Sequence, residues 1–272
     1  MKVFIQRHPL TSYFSVTFLV SWGSGLMVLV PKMIGHESMP AMTALLLFPV
    51  LVLSVALTGI ILTGIQEGNI GIRNLFGRIS IWRVSVRWYA VALLTPPVLI
   101  LITLLLLHTF VSQAYSPNFF PLGLLFGIFP GFFEELGWMG YAFPGMLSKS
   151  TALTASILLG VVWGLWHLPV VDSLGAAAPH GRFWLFFFLA FIAVVTAIRV
   201  LIAWIYSNTQ SLLLAQLMHA SSTASLVILR PSHVSASQEA VWYAVYAVFL
   251  WIVVITISIL YGKNLVTSSS RK

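Results

Sequence analysis

Of 272 residues, 59% are hydrophobic and only 7% are charged, where a soluble domain carries about a quarter charged residues, so a water-soluble globular chain is excluded. The absence of cysteine removes disulfides, thiolate nucleophiles and thiolate metal ligands. The formal net charge of +8 comes without a basic-aromatic patch or binding motif, so it speaks for membrane topology and anionic lipid headgroups, not for nucleic acid.

The apolar residues fall in blocks of about 20, the length a helix needs to cross the hydrocarbon. A lipid-exposed strand edge would leave backbone groups unpaired, so the blocks read as bundled helices. The expected fold is all-α, a polytopic transmembrane helical bundle of about eight spans forming one domain over 1–272. The first span, roughly 10–31, follows Lys2 and Arg7; its apolar run is too long for a signal peptide and further spans follow, so it reads as a retained helix. The second, roughly 41–64, leads into IQEGNIGIRNLFGRISIWRVSVRW, whose mixture of Arg, Trp and aliphatics predicts one or two amphipathic pieces along the membrane interface.

The third span covers roughly 88–111. The fourth, roughly 119–145, carries Pro121, Pro130 and Pro144 and is expected to kink or end early. It also holds FFEELGWMGY, with Glu134 and Glu135 adjacent in a chain that has six acidic residues. An ionisable group inside a span is costly and tends to face the bundle interior or a water-filled cavity and to serve a function there. Neighbouring helix residues point about 100° apart, so one carboxylate can face a cavity while the other braces a neighbouring helix.

Two histidines lie within later spans. WGLWHLP places His167 near the end of the fifth, roughly 151–171, one turn after Trp163. After the sixth span, roughly 183–206, LLLAQLMHASST places His219 inside the seventh, roughly 210–229, with Thr223 one turn later on the same face. At the rise of an α-helix, Glu134, His167 and His219 can converge near mid-membrane, with His167 toward the outer end. The eighth span covers roughly 240–261. The remaining His, Asp and Glu residues, including His180, Asp172 and Glu239, fall at span ends or in connections and read as surface groups.

If the N-terminus is cytoplasmic, the inner segments hold Lys2, Arg7, Arg73, Arg78, Arg83, Arg87, Lys149, Arg199, Lys263, Arg271 and Lys272, leaving Lys32, Arg182 and Arg230 outside. That asymmetry predicts a multi-pass protein of the cell membrane with both termini cytoplasmic.

At Glu134, His167 and His219 the sequence resembles the CPBP family of intramembrane endopeptidases, which contains the eukaryotic CAAX prenyl proteases and the bacterial Abi proteins linked to bacteriocin self-immunity. The family's motifs EExxxR, FxxxH and HxxxN stand here, in the same order on three spans, as EELGWM, WGLWH and HASST. Flanking stretches such as RWYAVALLTPP and WIYSNTQSLLLAQLMHAS agree, and the resemblance marks a catalytic core at about 75–230.

The resemblance implies hydrolysis of a peptide bond in a membrane-associated or CAAX-like peptide or membrane protein by glutamate-activated water. It assigns Glu134 as general base, Glu135 as its supporting partner, and His167 and His219 as the groups that position water and base. The family is also labelled metallo. His167, His219 and Glu134 would be a recognised zinc-ligand set, although the spacing is not that of HExxH; zinc and a metal-free mechanism both stay open. Three positions depart from the pattern. Trp163 replaces Phe and keeps an aromatic wall, and Thr223 replaces Asn with a hydroxyl donor in the oxyanion or support position. Met139 replaces the motif arginine and leaves the glutamates without its cation; Arg199, within the sixth span, is the candidate replacement. A catalytically silent member acting in bacteriocin immunity or partner binding is the alternative reading. A proton-coupled transporter would also use intramembrane Glu and His but predicts repeated halves, which the sequence does not show.

Overall fold

A computed structural model describes residues 2–34 and 41–266; His36, Glu37, Arg271 and Lys272 lie outside these described residues. Within them the chain is helical: α1 (Lys2–Arg7), α2 (Pro9–Ile34), α3 (Ala41–Gly77), α4 (Val86–Phe110), α5 (Gly123–Gly137), α6 (Phe143–Leu147), α7 (Ala152–Trp166), α8 (Trp184–Thr209), α9 (Leu212–Ile228) and α10 (Ala236–Tyr261). Each expected span coincides with a helix or a run of helices, and the protein is a helical membrane bundle. The interfacial segment after the second span begins as a continuation of α3, broken at Gly68, whose φ of 64° is open to glycine and strained for other residues.

Among the described residues, helical segments Leu47–Gly77, Val86–Phe110, Gly181–Thr209 and Ala236–Tyr261 are long and apolar enough to cross a bilayer, while Ala152–Trp166 and Leu212–Ile228 are shorter. The expected full-length fifth and seventh spans are thus corrected. α7 has 15 residues and α9 has 17, about 22–26 Å at 1.5 Å per residue against a core of about 30 Å. α7 stops ahead of Pro169, which disfavours helical geometry at Leu168 and cannot donate a backbone hydrogen bond. α8, by contrast, is buried along most of its length and forms the axis on which α7, α9 and α10 pack.

Hydrocarbon offers no hydrophobic drive between helices, so close approach depends on small residues. Gly123, Gly127 and Gly131 recur every fourth residue on α5 and form one stripe. A Cβ on Gly127 would sit 2.5 Å from the Ala220 carbonyl oxygen and the Ala224 nitrogen, and one on Gly131 would sit 2.6 Å from the Ala220 nitrogen. The next member of that stripe is Glu135, which the backbone contact delivers to α9. α7 repeats the device: Gly160 and Gly164 lie against Thr196, Ile192 and Val195 of α8. Gly131→Val is expected to cost at least about 1–3 kcal/mol, because its obstacle is backbone that cannot rotate away. A lowered melting temperature with loss of any activity checks this; an unchanged melt would show that α5 and α9 are not held by this stripe.

The expected irregularity of the fourth span is present, but prolines do not make it. Pro121 precedes α5, Pro130 lies inside it and Pro144 sits in the first turn of α6. The break is a π-helical turn, Trp138–Ala142, a widening that recurs at functional sites. The Gly140 carbonyl in this turn accepts from the Arg78 guanidinium at 2.6 Å, and Arg78 also donates to the Tyr206 hydroxyl at 2.8 Å.

Candidate active site

Glu134 and Glu135 lie in the last turn of α5 and are both buried. Their carboxylates point to different neighbours, as the helical angle between adjacent residues requires.

Glu135 is fully enclosed. Its Oε2 accepts from Arg199 Nη1 at 2.6 Å, and its Oε1 accepts from His219 Nδ1 at 2.6 Å. Arg199 comes from the middle of α8 and is itself fully buried, so the cation missing at Met139 is supplied by another helix. Its guanidinium also lies 4.4 Å from the Trp163 ring centroid, an additional favourable site for a positive charge. Met139 is completely buried one turn beyond Glu135. An ionised carboxylate has only acceptor capacity, so His219 donates to it from Nδ1, and the neutral form of the ring would present Nε2 as an acceptor.

Glu134 is bound differently. Its Oε2 accepts from two indoles, Trp138 Nε1 at 3.2 Å and Trp163 Nε1 at 3.0 Å. Among the described residues no Lys or Arg pairs with it, and its side chain lines a cavity of about 200 Å³ shared with Trp163, His167, His219 and Thr223. The Trp163 contact goes beyond the aromatic wall expected from the sequence, because a phenylalanine in this place could not donate. Trp138 was not anticipated; its signal was its position four residues after Glu134, the spacing at which helix side chains meet.

His167 is the residue that closes α7. Its Nδ1 lies 2.8 Å from the Trp163 carbonyl oxygen; a carbonyl can only accept, so Nδ1 is the donor and the neutral form of this ring too would present Nε2 as an acceptor. Both imidazoles are therefore held through Nδ1 by separate partners. The ring of His219 packs edge-on against Trp163 at 4.8 Å, and His167 meets Phe191 at 5.1 Å. Thr223 is half-buried and reaches the same cavity.

Two groups assigned to the surface are in the interior. Glu239 and His180 are buried. Glu239 accepts from the Ala176 and Ala177 backbone nitrogens at 2.9 and 2.7 Å, and His180 lies between it and Asp172 at 3.3 Å from each. The carboxylate thus ties the connection between α7 and α8 to the start of α10. The two partners are about 60 residues apart in sequence, and no local pattern announces the contact.

The donor chemistry of two imidazole Nε2 atoms and a carboxylate suits zinc. Among the described residues, however, no three His, Asp or Glu side chains are arranged to hold a metal ion, and one oxygen of Glu134 is taken by indoles. The residues do not form a ready ligand set in this arrangement.

Residues 116–225, which contain all of these groups except Glu239, match the family model described as type II CAAX prenyl endopeptidase, Rce1-like. CAAX prenyl protease 2 of Methanococcus maripaludis is 31% identical over 150 residues, covering 50% of this chain and 54% of that protein. The chain therefore spans about half the length of the curated relative it matches. The resemblance read from the three motifs is borne out over the segment that carries them, residues 116–225, which is similar to the Rce1-like endopeptidases.

Proposed function

We propose that this chain is an intramembrane endopeptidase that cleaves a membrane-associated, CAAX-like substrate with water activated by Glu134. The observation that carries the reading is the division of labour between the two carboxylates. Both oxygens of Glu135 are engaged by Arg199 and His219, whereas Glu134, which lines the cavity, accepts from neutral indoles through Oε2 and has no partner on Oε1 among the described residues.

The steps follow from these groups. A water in the cavity donates one hydrogen bond to Glu134 Oε1 and the other to an imidazole Nε2 of His219 or His167, which fixes its oxygen lone pair toward a bound carbonyl carbon. Glu134 takes the first proton as the new C–O bond forms. The Thr223 hydroxyl, which lines the same cavity, would supply a neutral donor to the developing oxyanion. The C–N bond then breaks, and Glu134 returns its proton to the departing amine, which restores the carboxylate. Arg199 and Glu135 act through His219 as positioning groups, and no step is routed through a metal.

The alternative of a silent immunity or binding protein was motivated by Met139. Arg199 replaces that cation, which favours the enzyme. The aromatic and aliphatic lining of the cavity fits a lipid-modified or hydrophobic peptide, and the name of the archaeal relative suggests a prenylated one. The cell-membrane location with both termini cytoplasmic is part of the proposal.

The test is incubation of the purified protein in detergent with a fluorogenic, lipidated CAAX-type peptide, with products located by mass spectrometry. Cleavage at one internal bond is expected, and it should persist in excess chelator. Cleavage lost in chelator and restored by zinc would replace the metal-free mechanism. Folded protein that cuts nothing would return the weight to the silent reading.

A further inference from the structure

A second cleft, of about 920 Å³, shares no lining residue with the cavity that holds Glu134. It lies between α3 beyond Gln66, the π-turn with α6, and the end of α8. Most of its polar groups are donors. Arg78 gives two N–H groups to neutral acceptors, the Tyr206 hydroxyl at 2.8 Å and the Gly140 carbonyl at 2.6 Å, so the guanidinium keeps further donors and its whole charge. The Tyr206 hydroxyl accepts that bond, and the Tyr141 hydroxyl accepts from Gln66 Nε2 at 2.7 Å; neither has an acceptor for its own proton among the described residues. Arg73 is exposed on the same wall, and among the described residues no carboxylate lies within ion-pair distance of either arginine. The carboxylate in the described lining, Glu67, lies back along α3, where a Cβ on Gly71 would sit 2.8 Å from its Oε2. An arginine that only marks topology extends into water, whereas Arg78 is half-buried and turned inward onto the buried Tyr206.

We infer that this cleft is a binding site for a phosphate group, with Arg78 and Arg73 as its cations and the Tyr206 and Tyr141 hydroxyls as its neutral donors. The site is independent of the endopeptidase reading. A phosphate presents acceptor oxygens on several sides, so it can meet a guanidinium in parallel hydrogen bonds and still accept from the hydroxyls. The chemistry is shared by a phospholipid headgroup and a soluble phosphate ester. The surroundings favour the headgroup: Leu10, Ile81 and Leu147 add apolar wall to the same cleft, and basic pockets between helices at the arginine-rich face of a membrane protein take anionic headgroups.

The experiment follows thermal unfolding of the purified protein in a neutral detergent with phosphatidylglycerol, phosphatidylcholine or glycerol 3-phosphate added, for wild type, Arg73→Gln, Arg78→Gln and Glu67→Gln. Saturating phosphatidylglycerol should raise the wild-type melting temperature by about 5 °C or more, and phosphatidylcholine by much less. Arg78→Gln should lose most of that shift. Because Arg78 also holds Tyr206 and Gly140, the deciding variant is Arg73→Gln, which breaks no ion pair among the described residues and should still lose about half of the shift. Glu67→Gln removes the opposing charge and should reach the full shift at a lower lipid concentration. A shift with the lipid alone assigns the site to a headgroup, and an equal shift with glycerol 3-phosphate assigns it to a soluble phosphate ester. Equal shifts in wild type and Arg73→Gln would overturn the site, as would no shift with glycerol 3-phosphate together with no preference for phosphatidylglycerol over phosphatidylcholine.

Discussion

Arg199→Met should destabilise the protein by about 3–5 kcal/mol, the range for breaking a buried pair by removing one partner. The substitution keeps most of the side-chain volume, so the loss is one of charge. It leaves Glu135 fully enclosed with His219 as its remaining partner and removes the cation from the Trp163 face. Met139 lies four residues after Glu135, in the π-helical turn that follows α5, so Met139→Arg would put the cation back in the position the family motif uses. The double variant Arg199→Met with Met139→Arg should melt nearer to wild type than Arg199→Met alone, and Met139→Arg alone should be destabilising because it buries a second cation beside the first. Thermal unfolding in detergent reads all three. Additive effects of the two substitutions would show that the positions do not exchange one charge.

Glu134→Gln should remove about 10²–10⁴-fold of the rate, the usual contribution of a positioned base, with the melt close to that of wild type. The amide is nearly the same size, and its oxygen can still accept from Trp138 and Trp163, so the indole contacts survive. Glu135→Gln should behave differently. It discharges the partner of Arg199 and weakens the bond that orients His219, so stability and activity should fall together. Separation of these two neighbouring substitutions by their effect on folding is the signature of one reacting and one bracing carboxylate.

Much of this arrangement is legible in the sequence because lipid imposes simple rules. The apolar blocks mark the helices, and a charge inside a block demands a partner. That second rule identifies Arg199, since Met139 leaves two carboxylates without a cation and Arg199 lies within an apolar span. The glycine spacing at 123, 127 and 131 also points to the face that carries Glu135. Other features leave weaker traces. The π-turn at Trp138–Ala142 is a shift of backbone hydrogen bonding with no residue type of its own. The early end of α7 is concealed by apolar residues that continue past it, although Pro169 marks it. The role of Trp163 as donor depends on where an indole nitrogen lands, and the Glu239 contacts join distant segments. Sequence therefore conveys which groups must be satisfied more readily than the geometry that satisfies them.

The central claim is that Glu134 activates water for peptide hydrolysis. Its most direct measurement is the cleavage rate of one lipidated fluorogenic peptide by purified wild type and Glu134→Gln, with equal melting temperatures established first. The account predicts a single cut by wild type and a fall of about 10²–10⁴-fold in the variant. Cleavage by Glu134→Gln at the wild-type rate would contradict it.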